Sequence, residues 1–203
     1  MSGVVHVVRT GTANLASVLA ALERAGARPR VTADPAEVAS APIVVLPGVG
    51  AFGAAMENLS ELAPVLADRV RAGRPTLGIC LGLQLLGEGS DETPGVVGLG
   101  VVPRRAERLR GEVRVPQLGW NRVTAQPGCA LLEDGYAYYA NSYAWSAPAP
   151  EGWAAAVTEH GVSFLAAVER GAVLACQFHP ELSGAWGAAL LSRWLARAKE
   201  AAC

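Results

Sequence analysis

Pro75-Thr76-Leu77-Gly78-Ile79-Cys80-Leu81-Gly82-Leu83-Gln84-Leu85-Leu86 is the stretch on which the reading of this chain turns. Its first half is a short apolar run of strand length, and its second half spaces leucines as a helix does, so a strand passes directly into a helix. They meet in Gly78-Ile79-Cys80-Leu81-Gly82, which has the form glycine-x-nucleophile-x-glycine. A turn this sharp brings backbone against backbone, where a Cβ would clash. The elbow lifts the Cys80 sulfur off the sheet to a helix N-terminus, whose unpaired N–H groups and positive dipole end favour thiolate over thiol. The same amides suit an oxyanion, and the N–H of Leu81, next after the nucleophile, is the natural first donor.

Working outward, Val4 to Val8 reads as a β-branched strand, and Asn14 to Ala25 as a helix that sets Leu15, Val18, Leu19 and Leu22 on one face before Gly26. Ile43 to Leu46 is another continuous apolar strand, stopped by Pro47-Gly48 and followed by a helical stretch that Pro64 breaks or kinks. After about residue 110 the period changes. Glu112–Thr124, Tyr136–Ser142, Trp153–Thr158, Ser163–Val168 and Ala172–Phe178 read as strands, with a hairpin turn at Glu169-Arg170-Gly171. The last segment puts Trp186, Leu190, Trp194 and Leu195 on one helical stripe. The expected fold is therefore α/β: a flavodoxin-like three-layer sandwich with a mostly parallel central sheet, an antiparallel extension and a nucleophile elbow.

Composition narrows the chemistry. The 203 residues fit one domain spanning 1–203. With 51 % hydrophobic and 17 % charged residues, disorder and coiled coil are excluded. A net charge of −1 argues against nucleic acid or an anionic membrane as partner. Lys199 is the only lysine, which removes a Walker loop and Schiff-base chemistry on a buried lysine. Cys80, Cys129, Cys176 and Cys203 have neither C-x-x-C spacing nor a zinc-ribbon pattern, so no metal or cofactor is expected. The absence of a basic-then-apolar leader and of any membrane-length apolar run points to a cytoplasmic protein with reduced thiols.

Of the three histidines, His179 has chemical company in Phe178-His179-Pro180-Glu181, after a strand and before a helix. Parallel strands end on one edge, so this loop and the Cys80 elbow are expected to converge there. His179 could then take and return a proton, with Glu181 holding the ring across a rigid proline. His6, inside a strand, and His160, beside Gly161, read as ordinary structural residues.

Leu77 to Leu86 together with Gln177-Phe178-His179-Pro180-Glu181 resembles the class I, or triad, glutamine amidotransferases. More narrowly, Gly11 to Val18, Leu46-Pro47-Gly48-Val49-Gly50-Ala51-Phe52, Leu118-Gly119-Trp120-Asn121 and Asn141-Ser142-Tyr143 are similar to the glutaminase subunit family of imidazole glycerol phosphate synthase, from histidine biosynthesis. The resemblance implies a Cys80-His179-Glu181 triad that cleaves glutamine through a thioester, with an oxyanion hole from Leu81 and the Val49-Gly50 loop. It implies substrate binding by Gln84, Ser142 and Tyr143. It also implies a heterodimer with a (β/α)8-barrel cyclase that receives the ammonia, met by Trp120, Asn121 and Leu182. Arg9, Gln117 and Leu182 depart from the usual residues, Leu182 standing where that family commonly has a cation. The alternatives are a glutaminase for another synthase, making pyridoxal phosphate, anthranilate or an aminated sugar, and a non-catalytic module on the same fold.

Overall fold

A computed structural model describes residues 3–11 and 15–202. Its first half alternates strand and helix: β1 (Val4–Val8), α1 (Leu15–Arg24), β2 (Arg28–Thr32), α2 (Pro35–Ser40), β3 (Val44–Gly48), α3 (Phe52–Asn58), α4 (Ala63–Arg71), β4 (Thr76–Cys80) and α5 (Leu81–Leu85). Asn14, expected to open the first helix, lies outside the described residues. There follow β5 (Gly89–Ser90), β6 (Arg105–Arg108), β7 (Gln117–Ala125), β8 (Gly135–Asn141), β9 (Tyr143–Trp145), β10 (Ala154–His160), β11 (Val162–Arg170), β12 (Val173–Cys176) and α6 (Gly184–Ala201).

Nine strands form one sheet in the order β2-β1-β3-β4-β12-β11-β10-β7-β8. The first five are parallel and the rest antiparallel, so the mostly parallel sheet with its antiparallel extension is present. β3, β4 and β12 bury every residue, which is why they read as unbroken apolar runs. β2 escaped the sequence reading because Arg28-Pro29-Arg30-Val31-Thr32 is polar and only partly buried. It sits at the sheet edge, where a proline without an N–H is tolerated.

Alternate residues of the strands feed two cores, giving three layers. On one face Val5, Val7 and Ile79 pack with Val18 and Leu22 of α1 and Leu190 and Trp194 of α6. On the other, Val8, Val44 and Leu46 pack with Phe52 of α3, Leu59 just beyond it, Leu66 of α4 and Leu81 of α5. Pro64 opens α4 rather than kinking one long helix.

One expectation needs correction. The strand expected over Glu112–Thr124 begins only at Gln117, immediately after Pro116, which has no N–H to give a ladder. Trp120 and Asn121, expected to meet a partner, lie inside β7. A further three-stranded sheet, β5-β6-β9, had no visible periodicity because its strands are only two to four residues long.

Candidate active site

Cys80 ends β4 and precedes α5 with φ 53° and ψ −108°, the only non-glycine residue of positive φ among the described residues. Such a conformation costs about 1–3 kcal/mol and persists only where the surroundings enforce it. Here they do. A Cβ on Gly82 would lie 1.9 Å from the Leu46 carbonyl oxygen, and one on Gly78 would lie 3.0 Å from the Gly82 carbonyl. The start of α5 is thus pressed against β3, and the chain can turn out of the sheet only at Cys80.

The neighbouring strand delivers the second element. β12 pairs with β4, and beyond it the His179 N–H donates to the Tyr138 carbonyl at 2.9 Å. The ring Nδ1 lies 2.8 Å from Glu181 Oε1, both side chains being nearly buried. Pro180 begins the 3-10 turn that brings Glu181 back under the ring. Burial lowers the pKa of His179, but the Cys80 sulfur and the Glu181 carboxylate outweigh it, and the value is raised to about 10. The imidazole therefore holds both protons at neutral pH, one directed to Glu181 and the other left for the Cys80 side.

Val49, Gly50, Cys80, Leu81, Gln84, Ser142, Tyr143 and His179 line a single cavity of ≈ 420 Å³. Gln84 donates to the Tyr143 carbonyl and to Gln177 Oε1, each at 3.0 Å, so its amide protons are already engaged. The sequence reading missed Glu92, which lines the same cavity. Its Oε2 accepts from the Phe52 N–H at 2.7 Å, capping α3, which has no cap of its own. That uncapped helix start was the available signal, since its orphan N–H groups require a partner from elsewhere. Among the described residues no group of three or more His, Cys, Asp or Glu is arranged to hold a metal.

Across the Val49 loop lies a second, mostly apolar cavity of ≈ 190 Å³, lined by Val18, Pro47, Ile79, His179, Glu181 and Leu182 among others. Trp120 and Asn121 line neither cavity. Trp120 is 58 % exposed and meets Tyr138 edge-on at 6.4 Å, while Asn121 Nδ2 donates to the Glu159 carbonyl.

A strained cysteine elbow lies beside a His–Glu pair, and the class-I glutamine amidotransferase profile matches residues 7–198. The chain belongs to the class-I glutamine amidotransferase family. It is 45 % identical over 195 residues to imidazole glycerol phosphate synthase subunit HisH of Deinococcus radiodurans, covering 91 % of this chain and 89 % of that protein. It is likewise 45 % identical over 199 residues to the HisH subunit of Thermococcus kodakarensis, covering 94 % and 98 %. Within the family it therefore belongs with the HisH subunits. A crystal structure of a glutamine amidotransferase superposes with a TM-score of 0.75 at 20 % identity, covering 97 % of this chain and 100 % of that one.

Proposed function

We propose that residues 1–203 act as one amidotransferase domain that hydrolyses glutamine to glutamate and ammonia in the cytoplasm. The ammonia passes to a (β/α)8-barrel cyclase, the two chains forming the imidazole glycerol phosphate synthase of histidine biosynthesis. The observation that carries this reading is the Cys80 elbow facing a protonated, Glu181-held His179 across a cavity of substrate size.

In the proposed reaction the Cys80 sulfur attacks the side-chain amide carbon. The tetrahedral oxyanion is received by the Leu81 N–H, with Val49 or Gly50 supplying the second donor. His179 gives its proton to the departing nitrogen, ammonia leaves, and a thioester remains on Cys80. Water, deprotonated by His179, then attacks the thioester and releases glutamate, restoring the sulfur. Glu92 is the cavity's carboxylate outside the triad and suits the substrate's α-ammonium group, with the Ser142–Tyr143 wall and the Gln84 carbonyl oxygen beside it.

Ammonia released into water at neutral pH is protonated and ceases to be a nucleophile, so it needs a dry exit. The apolar cavity across the Val49 loop suits that task, and it reaches Leu182. Leu182, at that cavity, is 44 % exposed, and Leu118, Trp120 and Tyr136 are each about 60 % exposed, apolar surface that a partner would cover. Identity of 40–45 % to several HisH subunits favours this synthase over the others that use a glutaminase. The test is Cys80→Ala: glutamate release should vanish while the cyclase, supplied with free ammonia, still turns over. Retained glutaminase activity overturns the reading.

A further inference from the structure

Gln177 belongs to the Gln177-Phe178-His179-Pro180-Glu181 motif yet has no part in the reaction described above. Its side chain is fully buried in the loop beyond β12. The Gln177 Nε2 donates to the Cys80 sulfur at 3.6 Å, and its Oε1 accepts from Gln84 Nε2 at 3.0 Å. Gln84 Nε2 also donates to the Tyr143 backbone carbonyl at 3.0 Å.

The orientation of these two carboxamides follows from chemistry. A backbone carbonyl has no proton to give, so the group that Gln84 turns toward Tyr143 must be its NH2. That NH2 also faces Gln177, which must answer with its oxygen. The Gln177 NH2 is thereby left facing the sulfur. The Tyr143 carbonyl thus sets the polarity of a chain of two amides that ends on Cys80.

We propose that Gln177 is a positioning residue for the nucleophile, its N–H group held toward Cys80 by the Tyr143 carbonyl acting through Gln84. The inference rests on the glutaminase reading for its purpose, but its physical content concerns the sulfur alone. Two groups of the one motif therefore serve the sulfur: Gln177 Nε2 donates to it directly, and His179 lines the same cavity as Cys80. The imidazole can exchange a proton with the sulfur, whereas the carboxamide cannot. It donates whether the sulfur is thiol, thiolate or thioester, and the donation is strongest to the anion. Gln177 therefore favours the reactive form and fixes the direction in which the sulfur points without entering the proton balance.

The experiment is iodoacetamide alkylation of Cys80 in the full chain, followed against pH by peptide mass so that the other cysteines are separated. Gln177→Met keeps length and apolar bulk but removes the donor. It should move the pH of half-maximal alkylation upward by about one unit, slowing reaction at pH 7 by about tenfold. With glutamine and partner present, kcat should fall by about the same factor with KM changed less than about threefold.

Gln84→Met releases the polarity of Gln177 and should shift the alkylation profile in the same direction. Because both changes break one chain, the double variant should shift no further than Gln177→Met alone. An unchanged alkylation profile in folded Gln177→Met overturns the proposal, and so do fully additive shifts. If Gln177→Met does not fold, an unchanged profile in Gln84→Met overturns it. Loss of the glutaminase reading through Cys80→Ala would leave these alkylation results intact, so the two failures are separable.

Discussion

Two cysteines stand one step of register apart on adjacent parallel strands, and they have opposite chemistry. Cys176 pairs with Ile79, the residue just before Cys80. Cys176 ends its strand inside the sheet, fully buried, with its sulfur 3.6 Å from the Gly78 carbonyl. Burial pushes its thiol well above the usual range, and the nearby Glu181 and Cys80 charges push it further. Cys80 lines the large cavity because its backbone has turned at φ 53°. Residue type does not distinguish the two; backbone direction does.

The largest effect that can break this contrast comes from paired substitutions. Cys80→Ala should lower glutamate release by at least about 10⁴-fold, the scale on which loss of a catalytic nucleophile acts. Cys176→Ala should leave release within about threefold of the parent and cost about 1 kcal/mol of stability, read from urea unfolding. Equal losses of activity would show that the strand-end position of Cys176 is chemically engaged after all.

The second effect tests the elbow itself. Gly82→Ala forces a methyl group to within 1.9 Å of the Leu46 oxygen and should destabilise by about 3 kcal/mol or more. Gly171→Ala, at φ +63° with nothing within 4 Å, should cost only the left-handed backbone penalty of about 1 kcal/mol. Equal midpoints in urea would mean that α5 is free to retreat from β3 and that the turn at Cys80 is not enforced by packing.

The elbow was legible because a strand of continuous burial, a helix of leucines and two glycines meet within twelve residues. The His179–Glu181 pair was legible because a proline fixes its spacing. Glu92 was not, since it reaches Phe52 across forty residues from a loop with no period. The polarity of Gln177 was hidden for a related reason: it depends on Tyr143, which only the tertiary fold places beside Gln84. Antiparallel strand boundaries were legible to within a few residues, except where Pro116 delayed the start of β7.

A smaller effect sharpens the role of the carboxylate. Glu181→Gln keeps the shape but removes the charge that holds the His179 proton, and should lower glutamate release by about 10²-fold with little change in KM. A fall in KM-limited rate alone would assign Glu181 to substrate binding instead.

The last effect is one of pH on stability, and its sign is set by His179. The folded pKa of about 10 lies above the unfolded value near 6.5, because hydrogen bonding and charge from Cys80 and Glu181 exceed the opposing effect of burial. Between those limits the folded state holds a proton that the unfolded chain has lost, so stability falls as pH rises. The contribution is complete below about pH 6.5 and is lost as pH passes through 10. Measured by urea midpoints, the advantage of the parent over His179→Gln should shrink steadily across this window. Cys80→Ala and Glu181→Gln each remove one source of the shift and should bring the upper edge of the window down. Cys176→Ala should leave it in place, since that thiol is absent from the causes acting on the ring. If Cys176→Ala moves the edge as far as Cys80→Ala does, the sulfur that holds the imidazolium is the buried one, and the contrast between the two strand ends is reversed.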